Sequence, residues 1–118
     1  MNSKDEIKGF LPLSPAELHI LLALAREDLH GYGIMLEVAR QSNDQYKLGP
    51  GTLYDNLEKL LEQGIVEEVP QRSSAESSRR RYYRLTRFGR RVLATEITRL
   101  EGVVRQAKMH LKISPERL

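Results

Sequence analysis

Apolar residues recur at intervals of three and four along most of this chain, which predicts amphipathic helices. A first helix is expected from Ser14-Pro15-Ala16-Glu17, which supplies a capping serine, an early proline and a glutamate that can close a capping box. His30-Gly31-Tyr32-Gly33 is expected to form a tight entry into a second helix, and Gly49-Pro50-Gly51-Thr52 is expected to open a third. Each is apolar on one face, so together they should enclose a small core.

The third predicted helix has two distinct faces. Gly49 suits its cap and Pro50 its first position, and Gly64 marks its end. Its apolar residues share one face and should point into the core: Leu53, Leu57, Leu60 and Leu61. At roughly 100° per residue, the opposite face carries small and polar residues: Gly51, Thr52, Asp55, Lys59 and Glu62. A helix with such an outward face fits the major groove of DNA.

The pattern changes from helical spacing to alternation after this helix. Residues 65–69 are rich in β-formers, and residues 81–85 return with Tyr83 and Leu85 on one face. The serine-rich residues 71–78 between them have no apolar side chain larger than alanine and suit a hairpin tip. This order predicts a mainly α fold with a small β-hairpin wing (α+β), that is, a winged helix-turn-helix.

Thr86 can cap a last helix that runs to about Lys112. Its apolar residues step by four and three, as in a coiled-coil seam: Leu93, Ile97, Leu100, Val104, Ala107 and Leu111. At about 1.5 Å per residue this helix is close to 40 Å long and extends past the core that it leaves. We interpret the seam as the contact between two chains in a homodimer. The alternative is a helix folded back on its own domain.

These elements divide the chain into three predicted parts. Residues 1–13 contain several apolar positions and are expected to form an N-terminal arm, packed on a neighbour or on a partner subunit. Residues 14–86 form the winged helix-turn-helix domain. Residues 87–118 form the C-terminal dimerisation helix and tail.

Composition limits the classes of function. The 118 residues suffice for one domain with a small core, and the absence of cysteine excludes disulfides and thiolate metal sites. The longest apolar run is too short to span a bilayer and no signal peptide is evident, so we expect a cytoplasmic protein without membrane contact. His19, His30 and His110 are far apart, and the motifs of hydrolases and phosphate loops are missing. We expect no metal, no cofactor and no enzyme activity.

The net charge is only +3, but the positive charge is clustered. Seven arginines fall within 13 positions with no acidic residue between them: Arg79, Arg80, Arg81, Arg84, Arg87, Arg90 and Arg91. Taken alone, this cluster fits either anion binding or a solvated helix start and strand edge. Beside a third helix that fits DNA, it favours phosphate contacts over the alternative, a winged helix that binds only other proteins.

Four motifs, in this order and spacing, resemble the PadR family of transcriptional regulators. They are His30-Gly31-Tyr32-Gly33-Ile34, Gly49-Pro50-Gly51-Thr52-Leu53-Tyr54, Leu60-Leu61-Glu62-Gln63-Gly64-Ile65-Val66 and Arg80-Arg81-Tyr82-Tyr83-Arg84-Leu85-Thr86-Arg87-Phe88-Gly89. The resemblance covers about residues 13–111 and is to the short subfamily with a single C-terminal helix. It implies a winged-helix homodimer that represses transcription from a palindromic operator.

The same resemblance implies that a small apolar or aromatic effector, if this chain has one, would bind at the dimer interface. Some members of the subfamily stack flat aromatic drugs on a tryptophan of the last helix. This chain has no tryptophan, and Leu100 lies in the corresponding seam, so stacking of that type is not expected. The seam could still receive an apolar effector, although a simply packed dimer core is the interpretation that we favour.

The residues expected to contact DNA lie on the second and third helices and the wing: Tyr32, Pro50, Gly51, Thr52, Tyr54, Asn56, Lys59, Arg72, Arg79, Arg80, Arg81 and Tyr82. Thr52 could bond a phosphate or touch a thymine methyl, and Asn56 could read adenine. Lys59 and the backbone N–H groups that begin the third helix could bind phosphate. Tyr32 and Tyr54 could do the same or serve in packing.

Overall fold

The computed structural model of the chain describes residues 3–70 and 80–113, with side chains from residue 6 onward. Five helices and three short strands follow one another in these ranges. They are α1 (Ser3–Lys8), α2 (Pro15–Arg26), β1 (Leu29–His30), α3 (Gly31–Gln41), α4 (Pro50–Glu62), β2 (Val66–Glu68), β3 (Tyr82–Leu85) and α5 (Arg87–Leu111). The predicted mainly α fold with a small antiparallel wing is confirmed.

The helix starts follow the local signals in the sequence. The Ser14 hydroxyl accepts a hydrogen bond from the Glu17 N–H at 3.1 Å, and the Glu17 carboxylate accepts one from the Ser14 N–H at 2.7 Å. This is the predicted capping box. The hydroxyl of Thr86 caps α5 through the Gly89 N–H at 2.9 Å, also as predicted.

The sheet contains one strand that the sequence did not predict. Its order is β1-β3-β2, and all neighbours are antiparallel. In β1, Leu29 pairs with Tyr83 and His30 pairs with Tyr82. A strand of two residues shows no alternation of its own, and its partner lies about fifty residues away in sequence. β1 fixes the start of α3 against the wing.

One apolar core lies between α2, α3, α4, the sheet and the beginning of α5. Its largest fully buried apolar side chains come from all of these elements: Ile20, Leu21, Leu24, Ile34, Val38, Leu53, Leu57, Leu60, Ile65, Val66 and Val92. Three of the four leucines predicted for the inner face of α4 are fully buried there, and Leu61 packs at its edge. The core thereby fixes the orientation of α4.

The N-terminal segment packs on its own chain. Ile7 and Leu13 belong to the core, and the ring of Phe10 meets that of Phe88 edge-on at 5.6 Å. The Leu13 N–H donates to the buried Glu96 carboxylate at 2.9 Å. Within this chain the segment therefore packs on a neighbouring element, α5, and packing on a partner subunit stays a prediction. The helix α1 within this segment was not predicted.

Glu96 is the most deeply buried charged residue of the described chain, at 1% exposure. The Arg99 guanidinium donates to it at 2.6 Å, and this bond holds the pKa of Glu96 below its ordinary value of 4.5. Burial acts in the opposite direction, and the Leu13 N–H adds to the lowering. A lowered folded-state pKa means that the unfolded chain binds the proton more readily. The stabilisation from Glu96 is complete above the unfolded pKa and is lost as the pH falls through the folded one.

We therefore expect Glu96→Gln to lower the free energy of unfolding by about 2 kcal/mol at neutral pH. The variant should also lose less stability than the parent chain between neutral pH and about pH 3. Urea unfolding at a series of pH values measures both quantities. Glu101→Gln, at an exposed position on the same helix, is the control and should change neither. If the parent and Glu96→Gln lost the same free energy of unfolding on acidification, the role given to the Glu96 carboxylate would be contradicted.

The two halves of α5 have different surroundings. Val92, Leu93 and Glu96 are buried against the core, whereas Val104 is 49% exposed and Leu111 is 68% exposed. The predicted seam thus starts in the core and continues along a helix that extends away from it. Within the described ranges, no helix is long and apolar enough to cross a membrane.

Candidate nucleic-acid interface

A groove with a volume of about 840 Å³ lies between α3, α4 and the returning strand of the wing. It is lined by His30, Gly31, Tyr32, Gly33, Leu36, Tyr54, Arg80, Arg81 and Tyr83. Four of the predicted DNA-contacting residues meet here: Tyr32, Tyr54, Arg80 and Arg81. The groove also contains His30, Gly31 and Leu36, which were not predicted.

The position of Tyr54 depends on a glycine. A Cβ atom at Gly31 would stand 2.2 Å from the Tyr54 hydroxyl oxygen, so the phenol occupies the space that a side chain would take. Tyr32 is 62% exposed and Tyr54 is 49% exposed. Among the residues that the structure describes, neither hydroxyl has a hydrogen-bond partner, so both remain able to bond a ligand.

The first turn of α4 leaves its backbone open. The Gly49 cap makes no side-chain hydrogen bond, and Pro50 has no N–H to satisfy. A Cβ atom at Gly51 would meet nothing within 4 Å. Gly51 and Thr52 are exposed, and their N–H groups lie at the positive end of the helix dipole. This turn can therefore approach an anion closely.

Two predicted contacts on α4 are engaged within the protein. The Asn56 amide donates to the Thr52 carbonyl one turn earlier, at 2.8 Å. The Lys59 ammonium pairs with Glu17 at 3.1 Å, beside residues 9–13. Burial would raise the pKa of Glu17, but the bonds from Ser14 and Lys59 together lower it. The structure thus places Lys59 near the N-terminal segment and not in the groove.

The wing places its polar and apolar residues on opposite faces. Tyr83 is only 4% exposed, and burial, followed by the charge of Glu68, raises its pKa. Tyr82 is half-buried, with its ring edge-on to that of His30 at 5.3 Å. Arg81 lies 3.6 Å from the Glu68 carboxylate. Arg81 and Arg80 are exposed. The predicted contacts Arg72 and Arg79, with the hairpin tip, lie outside the described residues.

No group of three or more His, Asp and Glu residues that could hold a metal ion occurs in the described part of the chain. The groove is instead rich in hydrogen-bond donors, and none of its described lining residues is acidic. Such a set suits a ligand with anionic oxygens.

The model of the transcriptional regulator PadR-like family matches residues 20–95, which include the groove residues on α3 and α4 and β3 with the start of α5. The chain belongs to this family. As a PadR-family protein it is a transcriptional regulator and not an enzyme. A transcriptional regulator of Mycobacterium tuberculosis is 34% identical over 89 residues, which are 75% of this chain and 78% of the relative.

Solved structures of PadR proteins share the fold. A PadR family transcription regulator from Clostridium difficile superposes with a TM-score of 0.66 at 24% identity, covering 83% of this chain and 99% of that one. Bacillus subtilis PadR in complex with operator DNA superposes with a TM-score of 0.61 at 20% identity. That match covers 73% of this chain and 48% of the Bacillus chain.

Proposed function

We propose that this PadR-family protein binds a palindromic operator as a homodimer and represses transcription, acting in the cytoplasm. One observation supports this most directly. The groove brings two exposed tyrosines and two exposed wing arginines together beside the open first turn of α4. In helix-turn-helix proteins the recognition helix enters the major groove by its N-terminal residues. The operator DNA in the Bacillus subtilis PadR structure supports the same role for this chain.

Most of the predicted contact residues have a role in this proposal, but Lys59, which pairs with Glu17 outside the groove, has none. Gly51 and Thr52 approach the floor of the major groove, and their N–H groups face a phosphate. Tyr32 and Tyr54 donate their hydroxyls to the DNA backbone on either side. Arg80 and Arg81 contact phosphates or the adjacent minor groove. We propose the same role for Arg72 and Arg79, which lie outside the described residues. Asn56 must leave its bond to the Thr52 carbonyl before it can read a base.

The exposed half of α5 supports a homodimer. Val104 and Leu111 would remain in water in a single chain, and contiguous apolar surface of this kind is normally covered. A shallow apolar groove of about 390 Å³ runs along Ile97, Leu100 and Val104. A second copy of α5 with the same seam would fill it by knobs-into-holes packing. The same groove is where a small apolar effector could bind, but a packed helix accounts for it without one.

The alternative function is a winged-helix module that binds only proteins. The groove beside α4 has two arginines and no acidic residue among its described lining residues, which favours DNA over this alternative, because a protein partner does not require such a charge pattern. A mobility-shift measurement with random-sequence duplex at low salt separates the two. A shift at micromolar dimer is the expected result, and no shift would favour the protein module.

The wing contribution can be tested through the salt dependence of binding. We expect each subunit to neutralise three to five phosphates, which gives a slope of log K against log salt of roughly −5 to −9 for the dimer. Arg80→Ala combined with Arg81→Ala should weaken binding at low salt. The slope should become less steep by about 3 to 4, because each subunit loses two phosphate contacts.

Arg90→Ala combined with Arg91→Ala is the matched control for charge. Both residues are exposed and follow Gly89, which packs on Ile65 beyond the far end of α4. The control removes the same charge at a distance from the groove, so its slope should stay close to that of the parent. Equal slopes for the two double variants would show that net charge, and not the wing, determines the binding.

A further inference from the structure

His30 has a structural role that fixes the chemistry of its ring. It precedes α3 as the N-cap, and its Nδ1 atom accepts a hydrogen bond from the Gly33 N–H at 3.0 Å. A ring nitrogen that accepts a hydrogen bond carries no proton. The proton of the neutral imidazole must therefore lie on the other nitrogen, Nε2.

Two tyrosines restrict the rotation of this ring. The rings of His30 and Tyr32 are nearly parallel, with centroids 6.5 Å apart, and the ring of Tyr82 meets His30 edge-on at 5.3 Å. β1 also fixes the His30 backbone by pairing it with Tyr82. The direction of Nε2–H is therefore set by the fold.

The Nε2–H group of His30 is available to a ligand. No described residue accepts a hydrogen bond from it. Every buried polar side-chain atom of the described chain is paired, so an unpaired Nε2 must reach the surface. His30 lines the groove, where the unpaired hydroxyls of Tyr32 and Tyr54 also lie. Among the described residues, three donors without a protein acceptor therefore share this surface.

We propose that His30 is a further DNA contact of this chain, and that its Nε2–H donates a hydrogen bond to a backbone phosphate while its Nδ1 holds the start of α3. This inference rests on the proposed function. Phosphate oxygens are acceptors, and the groove offers donors and arginines with no carboxylate among its described lining residues. The helix before the recognition helix crosses the DNA backbone in this fold type, which brings the start of α3 to a phosphate.

Two substitutions separate the donor from the two structural roles of the ring. His30→Ser retains an N-cap oxygen but removes the ring. His30→Phe retains a ring between Tyr32 and Tyr82 but removes the cap. Both lack Nε2–H, so both should bind random-sequence duplex at low salt about tenfold more weakly than the parent. His30→Phe should lower the unfolding temperature through loss of the cap and His30→Ser through loss of the ring packing, so the lost Nε2–H is the one change that both variants share.

The imidazole nitrogens of the parent protein provide a direct readout. In ¹⁵N spectra of the histidine side chains, His30 should show the Nε2–H tautomer, and its resonances should shift when duplex DNA is added. His19, which stacks on Tyr46, and His110, on the exposed end of α5, should shift much less. Inorganic phosphate alone, added at the same ionic strength, should not reproduce the shift.

The outcomes distinguish this inference from the proposed function. If the parent chain does not bind DNA, the proposed function fails. If the parent binds while both variants match its affinity and the His30 signals stay in place, His30 is only a cap and the inference is overturned. A full shift with inorganic phosphate would overturn the DNA contact in favour of a simple anion site.

Discussion

Replacing Leu100 and Val104 together by lysine should convert the proposed homodimer into a folded monomer with DNA affinity reduced by about hundredfold or more. Both residues lie on the part of α5 that extends from the core, so the winged domain should keep its fold. Two positive charges in each facing seam cannot be desolvated without a partner. Loss of the dimer removes the gain from binding two half-sites at once, which is worth about 10²–10⁴ in affinity.

Ala94→Lys combined with Thr98→Lys is the matched control. These residues have the same spacing, are exposed, and at about 100° per residue lie roughly 100° to 140° around α5 from the middle of the seam. They add the same charge, so any general gain in attraction to DNA is the same. Analytical ultracentrifugation gives the mass of each variant, circular dichroism its helix content, and titration its affinity. A seam variant that remains dimeric would show that the seam is not the contact between subunits, and a monomer that binds like the parent would show that dimerisation does not determine the affinity.

Gly89→Ala should destabilise the protein by about 3 kcal/mol, the upper range for inserting one methyl group into a packed site. An added Cβ would stand 2.0 Å from the Ile65 carbonyl oxygen and 3.0 Å from its carbon. These are backbone atoms of the segment between α4 and β2, so they cannot move aside like the end of a side chain. The same oxygen accepts bonds from the N–H and the hydroxyl of Thr86, so displacing it also strains the α5 cap.

Gly102→Ala tests the same substitution where space is open. A Cβ atom at Gly102 meets nothing within 4 Å, so alanine should stabilise the helix by up to about 1 kcal/mol. Thermal and urea unfolding of the two variants should therefore shift in opposite directions. Equal changes in the unfolding midpoints of the two variants would mean that the first turn of α5 does not pack on Ile65.

The sequence predicted those parts of the fold that depend on residues close to one another along the chain. The capping box at Ser14, the Thr86 cap and the apolar face of α4 each depend on residues within one or two turns of one another. Spacing and residue type are enough to find such features. The alternation of Tyr82 and Tyr83 on the wing belongs to the same class.

The parts that were missed depend on residues distant in sequence. β1 exists because residues 29 and 30 meet β3, and α1 is held by contacts with α5. The pairing of Lys59 with Glu17 joins two helices, so a helical projection of α4 alone showed Lys59 only as outward-facing. Similarly, the close approach of Tyr54 to Gly31 explains a glycine that the sequence could identify only as part of a motif.

The junction of α4, β2 and α5 would limit how a signal at the proposed dimer contact could reach DNA. Gly89 packs on Ile65, Glu96 bonds Leu13, and the core encloses the first turns of α5. Within the described residues, the first turns of α5 therefore have no joint at which to swing independently of α4. A change in the crossing angle between the two subunits would displace both recognition helices as rigid bodies. Binding of an inducer would then alter the distance between the two recognition helices, while the fold of each winged domain would stay the same.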